Sequence, residues 1–248
     1  MSDSDQIFNF NLNHNGVRTF QRLHRTIERQ IGISIVSGEV KPGDVLPGEI
    51  VSSVKFDVSR SVYREVLRTL ATKGMVESSP KVGTRVTNRN RWTLLDPDVL
   101  EWSFSNRNPD QNFVRSLFEL RMIIEPEAAA LAALRRTDAH VERLHDAWLV
   151  MSAETLASER GRIADREFHH GILEASGNEV LNNLSSGIGA AVLWTTILKY
   201  KDKPLPRDPV KDHFYVFEAI RNADPEAARA AMQGLVKLAL RDIYEIPT

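Results

Sequence analysis

Cysteine is missing from all 248 residues, which excludes disulfides and thiolate metal sites and fits a cytoplasmic protein. Apolar runs of the roughly 20 residues that span a bilayer are missing too. The opening stretch Met1 to Asn15 is polar, without the apolar core of a signal peptide, so no membrane partner is expected. There is no low-complexity tract and no convincing repeat. Charge of one sign is scarce, the net being only −1. The balance is uneven, however: residues 1–90 hold 13 Lys and Arg against 9 Asp and Glu, and the remainder holds 19 against 24. Any attraction for phosphate is therefore confined to the first part. At 42% hydrophobic, the chain has ample material for one large core or two small ones.

Within the basic part, Leu46-Pro47-Gly48-Glu49 precedes Val58-Ser59-Arg60-Ser61-Val62-Tyr63-Arg64-Glu65-Val66-Leu67. Ser59 is a good N-cap, and Val62, Val66, Leu67 and Leu70 form the stripe of a helix that packs one face. Its other face carries Arg60, Ser61, Arg64 and, a turn further, Arg68. A major groove admits such a helix, and arginine forks match the acceptor pair on guanine. Upstream, Arg18 to Val36 reads as an amphipathic helix with Leu23, Ile27, Ile31 and Ile35 inward, then a Pro42-Gly43 turn and a short helix from Gly48 to Lys55. Downstream, Gly74 to Ser78 and Thr84 to Thr87, joined through Pro80-Lys81-Val82-Gly83, read as a β-hairpin. Alone, the two arginines suit any solvated helix face. In this order of elements they predict a winged helix-turn-helix that reads double-stranded DNA, over residues 16–88.

After the polar connector Asn88-Arg89-Asn90-Arg91-Trp92 nothing reads as a strand. Leu95 to Trp102 opens a short helix with an aspartate cap and an early proline. Long helices are predicted at Asn112 to Arg135, Asp138 to Ala157, Arg160 to Ser176, Glu179 to Tyr200, Pro209 to Asn222 and Pro225 to Tyr244. Ser176-Gly177-Asn178, Pro204-Leu205-Pro206 and Asp224-Pro225 punctuate them. Residues 89–248 should thus form an all-α bundle, making the chain mainly α. The first dozen residues are expected to be mobile.

Asp165 and His169 are four apart on one predicted helix, and His213 lies on a later one. A carboxylate and imidazoles converging in a bundle suit a divalent ion such as Zn, Ni or Mn. The same spacing arises by chance, and His140, His170 or His213 also suit ordinary core or surface positions. Arg121 stands on an otherwise apolar helix and needs a partner: either Glu125 one turn on or the carboxylate of a bound acid. Asn178 and Trp194 are candidates to line the same cavity, though an aromatic on a bundle helix also serves as plain core.

These motifs resemble the GntR superfamily of bacterial transcription regulators, FadR subfamily, over nearly the whole chain. The N-terminal marks are Pro42-Gly43-Asp44-Val45-Leu46-Pro47, Val58-Ser59-Arg60 with Arg64-Glu65 and Leu67, and Gly83-Thr84. The C-terminal marks are those of the all-helical FCD ligand-binding domain: Glu119-Leu120-Arg121 with Glu125-Pro126, Asp165 with Phe168-His169, Ser176-Gly177-Asn178, and His213 with Phe217, Ala219-Ile220 and Asp224. Asn90-Arg91-Trp92 with Leu95-Asp96, Asp98-Val99-Leu100 and Trp102 is similar to sugar-acid regulators of the galactonate-repressor type. The resemblance implies a homodimer on a short palindromic operator, usually a repressor, released by a small hydroxy-carboxylic acid. Arg60 and Arg64, with neighbouring Ser59 and Ser61, fall on the operator-reading positions, and Lys81, Gly83 and Thr84 on the wing contacts. Asp165, His169 and His213 fall on three metal ligands, and Arg121 is the expected anchor of the acid.

Two positions depart from that pattern. Leu235 stands where the family has its fourth metal ligand, a histidine, and leucine cannot coordinate. Three ligands would make a weaker site, and the same trio could hold a hydroxy acid by hydrogen bonds alone. Ile50 stands where some relatives have a further DNA-contacting arginine, which should shift operator preference. An acyl thioester effector is disfavoured by the polar trio. A metal-dependent enzyme using Asp165, His169 and His213 is disfavoured by the lack of an evident general base.

Overall fold

The computed structural model describes residues 14–106, 109–201 and 207–244, with side chains from residue 23 onward. The expectations for the first dozen residues and for Pro204-Leu205-Pro206 lie outside the described residues. Two compact units divide after Thr93. The first extends past the hairpin because Trp92 folds back: its indole nitrogen donates to the Thr87 carbonyl at 3.2 Å, and the Thr93 amide donates to the Lys73 carbonyl at 2.9 Å.

The first unit comprises helices α1 (His14–Val36), α2 (Glu49–Lys55) and α3 (Arg60–Thr72), then strands β1 (Val76–Ser79) and β2 (Gly83–Val86). Ser59 caps α3 by accepting from the Val62 amide at 3.3 Å. Val62, Tyr63, Val66, Leu67 and Leu70 are buried beneath it. From α1, Ile27, Ile31 and Ile35 reach the core, but Leu23, expected inward, is 41% exposed. A stripe of every fourth residue rotates by about 40° per step on an ideal helix, so Leu23 stands about 120° away from Ile35. At the end of α3 the chain turns through Gly74, with φ +73. A Cβ there would lie 2.1 Å from the Arg91 carbonyl oxygen, so only glycine fits. β1 and β2 pair antiparallel with Val76 opposite Val86 and Ser79 opposite Gly83.

The second unit is all-helical among the described residues: α4 (Pro97–Phe104), α5 (Gln111–Arg135), α6 (Asp138–Glu154), α7 (Glu159–Ala175), α8 (Glu179–Asn183), α9 (Ser185–Lys199), α10 (Val210–Arg221) and α11 (Pro225–Tyr244). Buried alanines at 128, 129, 132 and 133 let α11 lie close along α5. Phe118, Phe168, Ile172, Val216, Phe217 and Met232 fill the interior. Full burial of each large side chain contributes about 1.5–3 kcal/mol. One predicted helix, Glu179 to Tyr200, is in fact two, broken at Leu184. The flanking Asn182-Asn183 and Ser185-Ser186-Gly187 are weak helix formers, and the Ser185 hydroxyl donates to the Asn182 carbonyl at 2.6 Å. No helix among the described residues is long and apolar enough to cross a membrane.

Candidate DNA-reading face and buried polar centre

Helix α3 divides cleanly into two faces. Opposite its buried stripe stand Arg60, Ser61, Arg64 and Arg68, all exposed. Ser59 is turned to capping, with its hydroxyl also 2.8 Å from that of Ser61. Tyr63 locks α2 against this helix, donating its hydroxyl to the Pro47 carbonyl at 3.2 Å and stacking on Phe56. That brings Glu49 to Arg64, whose Nε and Nη2 donate to the two carboxylate oxygens at 3.0 and 2.8 Å. The hydrogen bond from Arg64 holds the Glu49 carboxyl below its ordinary range. No sequence signal marks this fork, since the partners lie on different helices. Ile50, with Val51 and Val54, leaves an exposed apolar strip on α2.

At the hairpin tip Lys81 is exposed in a left-handed conformation, φ +68, followed by Gly83 at φ +95. The Thr84 hydroxyl is tied across the ladder to that of Ser78 at 2.9 Å. The tip therefore offers a cation on a short stiff loop.

The second constellation lies inside the helical unit. Arg121 and Glu125 come from α5, Asp165 and His169 from α7, Thr195, Thr196 and Lys199 from α9, and His213 from α10. The charged members are all buried, from 2% exposure at Asp165 to 6% at Lys199. Spacings of four on α5 and α7 point both members of each pair to one side.

Arg121 Nε donates to Glu125 Oε1 at 2.5 Å, and its Nη1 donates to the Thr195 hydroxyl at 3.3 Å. Glu125 Oε2 approaches His169 Nδ1 to 2.6 Å, close enough for strong attraction although the contact lacks hydrogen-bond alignment. Asp165 Oδ2 accepts from the Thr196 hydroxyl at 2.9 Å. Its Oδ1 faces His213 Nε2 at 2.9 Å and His169 Nε2 at 3.5 Å. Burial alone would raise the Glu125 pKa, but the Arg121 and His169 charges outweigh it and hold the group at about 2. Asp165 is likewise driven well below its usual range against burial, by its two histidine contacts. His169 rises despite burial, because Glu125 and Asp165 face it. Burial lowers Lys199 to about 8, with the Asp165 charge opposing.

The trio fits a divalent cation chemically. Its three donor atoms lie within 4.8 Å of one another. The Pro209 carbonyl, 2.8 Å from His213 Nδ1, can only accept, so Nδ1 carries a proton and Nε2 is the atom turned on Asp165. Either a doubly protonated ring or a cation shared between Nε2 and the carboxylate satisfies that arrangement. Thr196, Pro209 and Glu125 buttress the three ligands from behind. Leu235 is buried on α11 and adds no donor.

Two expected lining residues are placed elsewhere. Asn178 caps α8, its Oδ1 accepting from the Val180 and Leu181 amides at 3.0 and 3.2 Å. Trp194 borders a separate cavity of about 180 Å³ with Phe104, Ile197 and Leu198. The sequence reading missed Thr195, Thr196 and Lys199, whose spacing on α9 puts them on one face. A groove of about 490 Å³ between α6 and α7, bordered by Arg143, Ile163 and Glu167, includes none of the charged cluster.

A winged helix with an exposed arginine face, joined to a separate helical unit with a buried polar centre, is the architecture of a DNA-binding transcriptional regulator. Residues 23–86 match the gntR family of bacterial regulatory proteins and residues 116–237 match the FCD domain, and the chain belongs to the GntR family. It is 32% identical over 219 residues to the galactonate operon transcriptional repressor of Escherichia coli K12, spanning 87% of this chain and 94% of that one. It is 32% identical to the transcriptional regulator LutR of Bacillus subtilis 168, over 80% of this chain and 90% of that one. A solved structure of Lar, which controls expression of the Listeria monocytogenes agr system, shares the fold. The TM-score is 0.63 at 17% identity, covering 92% of this chain and 97% of that one. The family and these relatives are DNA-binding transcriptional regulators rather than enzymes.

Proposed function

We propose that the protein is a cytoplasmic homodimeric repressor of a catabolic operon, released from a short palindromic operator by a small hydroxy-carboxylic acid of the sugar-acid class. The observation that carries this reading is the buried cluster of Arg121, Glu125, Asp165, His169 and His213 inside a domain whose apolar core would otherwise have no use for it. Burying so many charges costs folding energy, which a ligand-binding role explains. Arg60 and Arg64 read base edges, Ser59 and Ser61 steady the start of the helix, and Lys81, Gly83 and Thr84 engage the backbone or minor groove. Asp165, His169 and His213 would hold a divalent cation, Zn, Ni or Mn, which when bound supplies a positive centre for the acid's oxygen atoms. Arg121 orders the wall through Glu125 and Thr195, and Thr196 keeps the Asp165 carboxylate aimed at the two imidazoles. The galactonate-repressor relative favours an aldonic acid over other carboxylates.

Release requires the acid to bind the DNA-competent and the released geometries unequally. The test is fluorescence anisotropy of the chain on its own promoter fragment while galactonate or gluconate is added. Concentration-dependent release supports the reading; tight binding that no sugar acid disturbs contradicts it.

A further inference from the structure

Lys199 occupies a position that nothing so far explains. It sits on α9 one turn after Thr195 and Thr196, the residues that bond Arg121 and Asp165, and is 6% exposed. Among the described residues its ammonium group has no hydrogen-bond partner and no ion pair, while it senses the charges of Asp165 and Arg121. A largely buried ammonium with no carboxylate in ion-pair contact is costly. The nearby carboxylates are engaged elsewhere: Glu125 faces Arg121 and His169, Asp165 faces Thr196 and the two imidazoles, and Asp242 pairs with Arg207 at 2.7 Å. Arg121, the anchor expected from the sequence, already has Nε on Glu125 and Nη1 on Thr195.

We infer that Lys199 is the anion anchor of the buried site, its ammonium taking the carboxylate of the effector while Asp165, His169 and His213 face the hydroxyl end. The inference rests on the proposed acid-controlled function and deepens it. Lys199 is a binding residue for a small carboxylate bearing vicinal hydroxyls, and a neutral analogue of the same shape would leave the ammonium unanswered. Charge recognition then falls to α9, and α5 keeps a structural part.

The test uses the full chain, with isothermal titration of galactonate, gluconate and their neutral aldonamides, each in zinc and in EDTA. Wild type should prefer acid to amide. Lys199→Met should lose acid affinity by about 10- to 100-fold, the range of one charge-assisted hydrogen bond. Amide binding and operator binding should stay near wild type, so the acid-over-amide preference collapses. Lys199→Arg should retain most of that preference, which a general loss of packing would not allow, and it serves as the informative variant if Lys199→Met folds poorly. Should Lys199→Met, or Lys199→Arg in its place, show that anion preference does not depend on the residue's charge and reach, the anchor assignment is overturned while the acid-controlled reading stands. If wild type binds neither acid at all, that reading fails and takes this inference with it.

Discussion

The α3 face and the buried centre both rest on arginine–carboxylate pairs, yet the pairs differ in kind. Arg64 and Glu49 meet in water, with side chains 54% and 34% exposed. Arg121 and Glu125 meet with 4% and 2% exposed. An exposed pair adds little to folding and can be exchanged for phosphate or a base edge at small cost. A buried pair cannot be broken without stranding a charge. The first arrangement suits a surface that must let go of its own partners to bind DNA. The second suits a wall of fixed shape, as the proposed effector site requires.

The sharpest way to break that contrast is to truncate each pair. Glu125→Ala should destabilise the protein by about 3–5 kcal/mol by leaving Arg121 buried and unpaired. Arg64→Ala should hardly move the midpoint. Equal losses in urea denaturation would erase the distinction.

Acid offers a second probe. Glu125 titrates near 2 in the folded chain against an ordinary 4.5. Its contribution is therefore complete above about pH 4.5 and is lost as pH falls through about 2. Wild type should lose stability on acidification over that window more steeply than Glu125→Gln, as followed by circular dichroism. Parallel curves would argue against a carboxylate stabilised by Arg121 and His169 at this position.

A smaller effect is expected at Leu235. Leu235→His should tighten zinc binding by about tenfold or more by adding a fourth donor, measured by competition with a chelating dye. Unchanged affinity would show that this part of α11 does not face the trio. The smallest effect belongs to Glu49→Gln, which should leave the melting midpoint within scatter of the parent, because exposed pairs contribute so little. A large drop would mean that the fork holds α2 in place.

Legibility in the sequence followed the same divide. The Ser59 cap, the α3 stripe and the hairpin were readable because each is local: a cap, a period and a turn lie within a few residues. The Asp165 and His169 pair was readable as a spacing of four on α7. The Arg64 to Glu49 fork, the Thr196 to Asp165 bond and the position of Lys199 were not, because they join different helices and depend on packing. Leu23 misled because its stripe was extended one step beyond the turn where it still faces inward. Asn178 misled for the opposite reason, since an expected pocket residue is used as a cap. The break at Leu184 carries its signal in the weak helix formers Asn182-Asn183 and Ser185-Ser186-Gly187, which a reading of one continuous helix passed over.

The central claim is that the arginine face of α3 carries sequence recognition. DNase footprinting of the chain's own promoter region with wild type and the Arg60→Ala/Arg64→Ala double variant tests it most directly. Each arginine is expected to be worth roughly 5- to 150-fold in specific affinity. Wild type should protect a short palindrome that the double variant leaves open, although both still coat DNA weakly at low salt. An identical footprint from the two proteins would contradict the account.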